Sequence, residues 1–456
     1  MNTIAAIASA MTDSGIGIIR ISGEEAIEIS DRVIRLKEKK KKISDCPTHT
    51  VHYGFVMQDE HVLDEVMVLI FRAPRSYTRE DTVEIDCHGG TLVMKKILDL
   101  LILNGARPAE PGEFTKRAFL NGRIDLAQAE SVIDVINAKN DFALRTSMDQ
   151  LKGSVSKEIV KLREKILYEI AWIESALDDP EHYSLEEYGK ELSPKLEEIL
   201  QEIEKILFHA ENGAVLKEGI HTVIVGKPNS GKSSLLNTLL GKERAIVTDI
   251  AGTTRDAIEE QVRLNGISLN VIDTAGIRNT NDLVEKIGVD KAKEYLEKSD
   301  LILYVVDSSV SLNEDDMEII SMIQKKNVIV LLNKSDLVSV VTEEEIRKHL
   351  DKTVVFISAK HNEGIDALEY TIEEMFFHGK ISMNDEVYIT NARHKASVLE
   401  AKKSLLLVKK SIEDEMPEDF YSVDLMNAYE ELGKIIGEAV EDDLVNEIFS
   451  KFCMGK

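Results

Sequence analysis

The sequence predicts a multidomain α/β plus all-α protein in which a nucleotide-binding domain is inserted into a helical domain. A phosphate-loop motif follows a short apolar run near the middle of the chain. Strand and helix patterns then alternate as far as about residue 378, which is typical of a mostly parallel sheet with both faces covered. Helical periodicity occurs on both sides of this region, so we infer that the two flanks build one helical domain.

The length of 456 residues exceeds what one hydrophobic core usually organises, and we expect about three domains. No run of eighteen apolar residues is present, and the first ten residues lack a basic region followed by an apolar one. We therefore expect a cytoplasmic protein that does not span a membrane. The three cysteines, Cys46, Cys87 and Cys453, predict no disulfide framework.

The net charge of −26 argues against unaided nucleic-acid binding, because affinity for phosphate backbones comes from Lys and Arg. Residues 1–120 carry 16 basic and 18 acidic side chains, so most of the negative charge lies in the rest of the chain. If the protein acts on RNA, a basic partner or a local patch must hold the RNA. The run from Lys37 to Lys42 is one such patch, although a solvated loop is the favoured interpretation.

Residues 1–120 are interpreted as a mixed α/β domain. Apolar spacing predicts strands over 15–21, 62–71 and 83–90 and helices over 24–36 and 91–104. The last strand ends in Cys87-His88-Gly89-Gly90, where a helix start could bind an anion or polar ligand. Cys87 and His88 could be a nucleophile and its base, but a packed cysteine and a capping histidine are favoured. No second pair at ligand spacing accompanies them, so zinc is not predicted.

Two apolar stripes indicate bundle helices between about residues 121 and 215. Their members are Ile159, Leu162, Ile166, Ile170 and Ile173 in one and Leu192, Leu196, Ile199, Ile203 and Ile206 in the other. Ser193 and Pro194 predict the start of the second helix. Helical patterns return from about residue 391 to 452. The predicted domains are an N-terminal domain at 1–120, a helical domain at 121–215 and 379–456, and a P-loop domain at 216–378.

The phosphate loop runs from Gly226 to Ser233, directly after the apolar run 220–225. A strand that leads into a Gly-rich turn and a helix start directs backbone N–H groups towards bound phosphate. Lys232 would reach the outer phosphates and Ser233 would ligate Mg²⁺. The alternative is a Gly-rich turn that binds no ligand. The loop residues assigned to nucleotide binding are Asn229, Ser230, Gly231, Lys232, Ser233 and Ser234.

Four further motifs follow in the order and spacing of a P-loop GTPase, which argues against a chance match. They are Gly252-Thr253-Thr254-Arg255-Asp256, Asp273-Thr274-Ala275-Gly276, Asn333-Lys334-Ser335-Asp336 and Ser358-Ala359-Lys360. Asp273 can hold Mg²⁺ through water, and the Gly276 N–H can sense a γ-phosphate. Thr254 can complete the metal shell only when that phosphate is present, so its loop is predicted to switch between order and disorder.

The third of these motifs resembles the guanine-specificity motif of GTPases. Asp336 would accept hydrogen bonds from the guanine N1–H and amine, a donor pair that adenine lacks, so GTP is preferred to ATP. Lys334 would lie along the base, and the Ala359 N–H would meet the guanine carbonyl. Ile277 stands where Ras-type GTPases place a water-orienting Gln, so hydrolysis requires another group. Glu285 is a candidate, although a solvated loop charge is favoured from the residues alone.

Along essentially its whole length the chain resembles the MnmE (TrmE) family of tRNA-modification GTPases. The segments that carry the resemblance are Ile19-Arg20-Ile21-Ser22-Gly23, His88-Gly89-Gly90, Pro111-Gly112-Glu113-Phe114, Ala127-Gln128-Ala129-Glu130 and Phe452-Cys453-Met454-Gly455-Lys456. The resemblance implies a homodimer with a Ras-like P-loop GTPase domain. It implies a GTP hydrolase that works with an MnmG-type flavoprotein, which uses FAD and NADH. Together they would add an aminomethyl or carboxymethylaminomethyl group to carbon 5 of wobble uridine in certain tRNAs.

The resemblance also implies an N-terminal domain that is similar to folate-binding aminomethyltransferases. This domain would bind a formyl-tetrahydrofolate and mediate dimerisation. By motif match the folate ligands would be Arg20, Glu84, Arg123 and Lys456. Arg123 differs from family members that carry Lys there, but it keeps the charge. Cys453 matches a cysteine proposed to act in the modification chemistry.

The resemblance also implies how hydrolysis proceeds without the Gln. A K⁺ site would be formed by Asn229 with the backbone at Thr248, Ile250 and Thr253 when two GTPase domains meet. The cation would neutralise charge where other GTPases insert an arginine. Glu285 matches the family's water-orienting glutamate, and the Mg²⁺ ligands would be Ser233 and Thr254. Beyond the loop, the implied GTP contacts are Thr248, Asp249, Ile250, Ala251, Gly252, Thr253, Thr254, Asp273, Thr274, Ala275, Gly276, Asn333, Lys334, Asp336, Ser358, Ala359 and Lys360.

Two other functions fit the GTPase motifs. One is a noncatalytic assembly switch of the ribosome-biogenesis kind, and the other is a folate-dependent transferase with a regulatory GTPase domain. Assembly switches usually append a basic RNA-binding domain, whereas the flank after residue 379 is acidic and helical. That difference favours the modification enzyme.

Overall fold

The structure is a computed structural model. It describes residues 2–38, 40–138, 140–179, 181–182, 185, 187–242, 259–264, 267–273, 295–377, 389–438, 442–450, 452 and 455. The chain divides into two units. The first unit comprises residues 1–137, 147–203 and 396–456, and the nucleotide unit comprises residues 138–146 and 204–395.

The described elements alternate between strand-rich and helix-rich parts. The strands are β1 (Ile4–Ile7), β2 (Ser14–Ser22), β3 (Ile34–Leu36), β4 (Thr50–Gln58), β5 (His61–Phe71), β6 (Thr82–Gly89), β7 (Arg107–Pro108), β8 (Ile220–Val225), β9 (Glu259–Leu264), β10 (Ile267–Asp273), β11 (Leu301–Asp307), β12 (Val328–Asn333) and β13 (Thr353–Phe356). The helices are α1 (Ala26–Val33), α2 (Thr91–Leu103), α3 (Glu113–Leu120), α4 (Leu126–Asn137), α5 (Asp141–Leu151), α6 (Ser154–Asp178), α7 (Tyr188–Glu218), α8 (Lys232–Lys242), α9 (Glu314–Ile323), α10 (Glu343–His349), α11 (Ile365–Phe377), α12 (Ala392–Glu413), α13 (Asp419–Ile436) and α14 (Asp442–Ser450).

The first unit contains a seven-stranded sheet of order β3-β4-β5-β6-β2-β1-β7. Helices α1 and α2 pack against one face of it. Val83, Ile85 and Cys87 of β6 are buried on that face. Because successive side chains of a strand point to opposite faces, Glu84 lies on the other face, opposite Arg20 of β2.

The predicted strands at 15–21, 62–71 and 83–90 and the helix at 91–104 are confirmed. The predicted helix over 24–36 is wrong at its end, because α1 stops at Val33 and β3 follows. Ile34 pairs with Val56 and Leu36 with Gly54 in an antiparallel ladder. The partner strand, β4, was not predicted. Ile34 and Leu36 are buried while Arg35 is exposed, as an edge strand requires.

Both predicted apolar stripes are confirmed, and their residues are buried in α6 and α7. The predicted start of the second helix is wrong, since α7 begins at Tyr188 and contains Pro194. The buried Tyr188 hydroxyl donates to Glu169 of α6 at 2.5 Å, which fixes the turn before Ser193. Proline here removes one hydrogen bond near the helix start, to the carbonyl of the exposed Lys190.

The nucleotide unit has a six-stranded sheet of order β13-β12-β11-β8-β10-β9. Its neighbouring strands are parallel, except that β9 runs antiparallel to β10. The four strands predicted after the phosphate loop are confirmed, and the edge strand β9 was not predicted. Residues 138–146 also belong to this unit: Asn140 Nδ2 donates to Ser268 Oγ at 3.2 Å, and Phe142 packs against the core.

Candidate functional site

The phosphate loop connects β8 to α8 through backbone conformations that favour glycine. Gly226 has φ +151°, Asn229 has φ +64° and Gly231 has φ +104°. A Cβ on Gly226 would lie 2.3 Å from the Val305 carbonyl oxygen, and one on Gly231 would lie 2.0 Å from Asn333 Nδ2. Both glycines are therefore required by space as well as by conformation.

Lys232 stands at the first position of α8 with its side chain folded back over the loop. Its Nζ donates to the carbonyl oxygens of Gly226 and Lys227, each at 2.7 Å. Ser233 and Ser234 are exposed in the first turn of the helix, while Ser230 is buried. The amine and the Ser233 hydroxyl thus lie at the helix N-terminus, where backbone N–H groups and the helix dipole favour a phosphate.

Asn333, at the end of β12, ties the phosphate loop to the last nucleotide motif. Its Nδ2 donates to the Ser230 carbonyl oxygen at 2.8 Å, and its Oδ1 accepts from the Ala359 N–H at 3.0 Å. Thr238 of α8 donates to the Ala359 carbonyl oxygen at 2.7 Å. The structure therefore brings the phosphate loop and α8 together with Asn333, which lies 103 residues after Ser230, and with Ala359, which lies 121 residues after Thr238.

The guanine-specificity residues are held by neighbouring side chains. Ser358 Oγ donates to Asp336 Oδ1 at 2.7 Å, and this hydrogen bond lowers the pKa of Asp336, so the carboxylate stays an acceptor. Lys334 has φ +64°, and its Nζ donates to Asp307 Oδ2 at 2.5 Å. Burial alone would raise the pKa of Asp307, but hydrogen bonds from Lys334 and Ser309 lower it overall. Lys360 is exposed beside this group.

Asp273 ends β10, where it is paired with Ile224 of the parallel strand β8. Its backbone therefore lies at the carboxyl edge of the sheet from which the phosphate loop departs. The other predicted residues of the switch segments and of the last five positions lie outside the described residues. They are Thr248, Asp249, Ile250, Ala251, Gly252, Thr253, Thr254, Thr274, Ala275, Gly276, Glu285, Cys453 and Lys456.

A second polar site lies on the face of the N-terminal sheet opposite α1 and α2. Arg20 Nε donates to Glu84 Oε1 at 2.7 Å, and Arg20 Nη1 donates to the Gly455 carbonyl oxygen at 3.0 Å. The guanidinium carbons of Arg20 and Arg123 lie 5.6 Å and 4.6 Å from the centroid of the Tyr77 ring. Two of the four predicted folate ligands thus contact one aromatic ring, and a third, Glu84, is bonded to Arg20.

Tyr77 was not predicted as a site residue. Its hydroxyl shares a hydrogen bond of 2.9 Å with Thr115 Oγ1 of α3, and the Phe114 ring lies 5.5 Å from the Arg20 guanidinium. The sequence shows Tyr77 between two hydroxyl residues in a loop, and only its place beneath two arginines distinguishes it from an ordinary loop tyrosine.

Helix α3 is anchored by a buried arginine. Arg117 is 1% exposed, and its guanidinium donates to Glu113, to Glu80 and to the Asn2 carbonyl oxygen. Burial alone would raise the pKa of Glu113, but hydrogen bonds from Arg107 and Arg117 lower it overall. This group connects the Tyr77 loop, α3 and β1, which together support the Arg20 site.

The Cys87 and His88 pair does not form a nucleophile and base. Cys87 is buried, and burial, together with the charge of Asp64, raises its pKa to about 11, so its thiol stays protonated at neutral pH. The favoured interpretation of a packed cysteine is confirmed. The prediction that His88 caps a helix is wrong, because Gly90 occupies the N-cap of α2. His88 Nδ1 instead lies 2.6 Å from Asp64 Oδ1.

Within the described parts of the chain, no group of three or more His, Cys, Asp and Glu residues is arranged to hold a metal ion. The same described residues contain no helix that is long and apolar enough to cross a membrane.

The parallel sheet, the loop before α8 and the guanine-specificity group define a P-loop GTP-binding protein that carries an additional N-terminal α/β domain. Residues 3–123 match the family model described as GTP-binding protein TrmE N-terminus, and residues 126–453 match the MnmE helical domain. The tRNA modification GTPase MnmE of Lachnoclostridium phytofermentans is 58% identical over 455 residues, covering 100% of this chain and 99% of that protein. The MnmE protein of Clostridioides difficile is 48% identical over 456 residues, with the same coverage.

The chain therefore belongs to the MnmE family of tRNA modification GTPases, and it is a GTP hydrolase. Among solved structures, the G domain of the T. maritima FeoB iron transporter is 28% identical, with a TM-score of 0.27, and covers 34% of this chain and 97% of that one. Era of Aquifex aeolicus is 30% identical, with a TM-score of 0.28, and covers 41% of this chain and 67% of that one.

Proposed function

We propose that this GTP hydrolase is stimulated by K⁺ and is activated when two copies bring their nucleotide domains together. It acts in the cytoplasm with an MnmG-type FAD protein to add an aminomethyl or carboxymethylaminomethyl group to carbon 5 of wobble uridine in certain tRNAs. The observation that carries this proposal is the exposure of Asn229, which lies in the phosphate loop with φ +64°. An exposed amide oxygen next to bound phosphates suits a hard cation.

The donor groups fit the two cations. The Asn229 amide, with the backbone at Thr248, Ile250 and Thr253, would hold K⁺. Ser233, exposed in the first turn of α8, would hold Mg²⁺ with Thr254. Bound cations supply positive charge opposite the charge that develops on the phosphates during hydrolysis. Glu285 would orient the attacking water, which Ile277 cannot do.

The Arg20 site fits a formyl-tetrahydrofolate. Arg20, Arg123 and Lys456 would supply positive charge for the carboxylates of such a ligand, and Glu84 would accept hydrogen bonds from its ring N–H groups. The Tyr77 ring supports this assignment because it holds the guanidinium groups of Arg20 and Arg123 close to each other. Cys453, two residues before Gly455, would take part in the modification chemistry.

The same proposal assigns roles to the domains. Residues 1–120 bind folate and mediate homodimerisation, residues 121–215 and 379–456 form the helical domain, and residues 216–378 hydrolyse GTP. Because the net charge is −26, the partner protein supplies much of the basic surface that holds tRNA.

Hydrolysis rates in K⁺ and Na⁺ at equal ionic strength test the nucleotide part of the proposal. The rate should be much higher in K⁺, and it should rise per molecule with protein concentration, because two copies must meet. Equal rates in both salts at every concentration would contradict a cation site at Asn229.

Mass spectrometry of wobble uridine in tRNA from cells that lack the protein tests the modification part. Loss of the carbon-5 aminomethyl and carboxymethylaminomethyl groups is expected. If these groups persist while ribosome assembly is impaired, the protein is an assembly switch instead.

A further inference from the structure

A buried ion pair joins the phosphate loop to the start of α9. Lys227, the second residue of the loop, places Nζ 2.6 Å from Asp316 Oδ2 and 3.2 Å from Asn313 Oδ1. The side chains of Lys227 and Asp316 are 14% and 1% exposed. A lysine at the surface samples many rotamers, whereas this one is held in a single position between two acceptors.

The Asp316 carboxylate is itself held by two further donors. The Tyr304 hydroxyl donates to Asp316 Oδ1 at 2.9 Å, and Tyr304 is fully buried in β11, where it pairs with Val225 just before the loop. Burial, and then the Asp316 carboxylate, raise the pKa of Tyr304, so its hydroxyl remains a donor. Asp316 Oδ2 also accepts from the Asn313 N–H at 2.9 Å, which completes a capping box at α9.

The backbone of Lys227 adjoins two residues of the proposed nucleotide site. Its carbonyl oxygen is one of the two that accept from Lys232 Nζ, and Asn229 follows two residues later. The second half of the loop is fixed separately, because Asn333 holds the Ser230 carbonyl oxygen. Asn229 therefore lies between two residues that are held in place: Lys227 through its side chain and Ser230 through its carbonyl oxygen.

We propose that Lys227 and Asp316 are positioning residues for GTP hydrolysis: their ion pair holds the first half of the phosphate loop where Asn229 can meet a cation and Lys232 the outer phosphates. Neither side chain contacts the nucleotide in this role. The inference depends on the proposed K⁺ site only where the K⁺ dependence of the hydrolysis rate is used to test it. A loop without the anchor occupies the competent position for a fraction of the time, and the apparent affinity for the cation falls by that fraction.

The test uses the full chain with Lys227→Met, Asp316→Asn, the double variant and the charge-conserving Lys227→Arg. Lys325→Met removes an exposed lysine from the same unit and is the matched control. Each single variant should raise the half-saturating K⁺ concentration about five- to tenfold, with the maximal rate and GDP affinity within about twofold. Because the two residues act as one unit, the double variant should be no worse than either single variant, and Lys227→Arg should recover most of the loss.

Additive losses in the double variant, or unchanged K⁺ and GTP dependence in both single variants, would overturn the inference. A joint fall in GDP affinity and melting temperature would assign the pair a merely structural role and would overturn it too. If the unaltered protein hydrolyses GTP equally in K⁺ and Na⁺, the cation site fails, and the anchor is then judged by the KM for GTP. A shared, non-additive rise in KM supports the anchor, and an unchanged KM contradicts it.

Discussion

The two sites of this protein are built in opposite ways. In the nucleotide site the backbone sets the geometry: Gly226 and Gly231 leave no room for a side chain, and the loop carbonyl oxygens hold Lys232. In the Arg20 site the geometry comes from long-range side-chain contacts, since Arg20 bonds to Glu84 and to Gly455. Distant side chains such as Asn333 hold the loop of the nucleotide site in place, whereas in the Arg20 site the long-range side-chain contacts form the site itself.

The largest effect is expected from Arg117→Met, which removes the buried guanidinium that supports the Arg20 site. Glu80 would lose its ion-pair partner and Glu113 would keep only Arg107, and breaking such a buried pair costs about 3–5 kcal/mol. The transition of the first unit in a calorimetric scan should shift to markedly lower temperature, while GTP affinity at low temperature stays unchanged. The exposed Arg75→Met is the control. An unaltered scan would mean that the Arg117 ion pairs do not stabilise the first unit.

Next in size is Gly231→Ala, which tests the site that the backbone builds. The added Cβ would meet Asn333 Nδ2 at 2.0 Å, and φ +104° is strained for alanine. We expect GTP affinity to fall by about a hundredfold, roughly 2.7 kcal/mol, with little change in the first unit. Gly241→Ala in α8 meets nothing within 4 Å and should leave affinity intact. Near-normal binding by the Gly231 variant would show that the loop can rearrange.

A smaller effect is expected from Tyr77→Leu, which removes the ring that both arginines contact. Cation–π contacts of this kind contribute about 1 kcal/mol each, so loss of both should lower the affinity for formyl-tetrahydrofolate, measured by titration calorimetry, by up to about thirtyfold. GTP hydrolysis without folate should not change. The exposed Tyr370→Leu provides the comparison. Equal affinity in both variants would place the folate elsewhere.

The smallest effect concerns the pH dependence of the first unit. The folded state raises the pKa of Cys87 from 9.0 to about 11. Since the unfolded state then releases the proton first, the stabilising contribution is present below about pH 9 and is lost as the pH rises towards 11. Cys87→Ala should therefore lose less stability than the parent between about pH 8 and about pH 10.5 in urea unfolding. Parallel losses would mean that the thiol titrates normally.

The contrast between the sites also explains what the sequence could predict. The nucleotide motifs that the structure describes are short and lie at strand ends, so order and spacing were enough to expect that they meet. Arg20, Glu84 and Arg123 stand on separate elements of an antiparallel sheet and its flanking loop, and only a family resemblance connected them. Tyr77, Lys227 and Asp316 carry no pattern that separates them from ordinary polar residues until the fold places them.

Errors in the predicted elements have related causes. The apolar residues at 34 and 36 fit a helix as well as a strand, and pairing with β4 decided the outcome. Pro194 is a common helix start, but packing of Tyr188 against α6 extends the helix before it. Tertiary contacts overrode local preference in both places.

The hydrogen bond between Arg20 and Gly455 has a consequence for synthesis in the cell. The two residues are 435 positions apart, so at about 5–20 residues per second the ribosome adds Gly455 roughly 20–90 s after Arg20. The N-terminal sheet can fold well before then, but its polar site stays incomplete. A nascent chain therefore cannot form the complete Arg20 site until translation has passed Gly455, which delays this site until the GTPase domain has also been made.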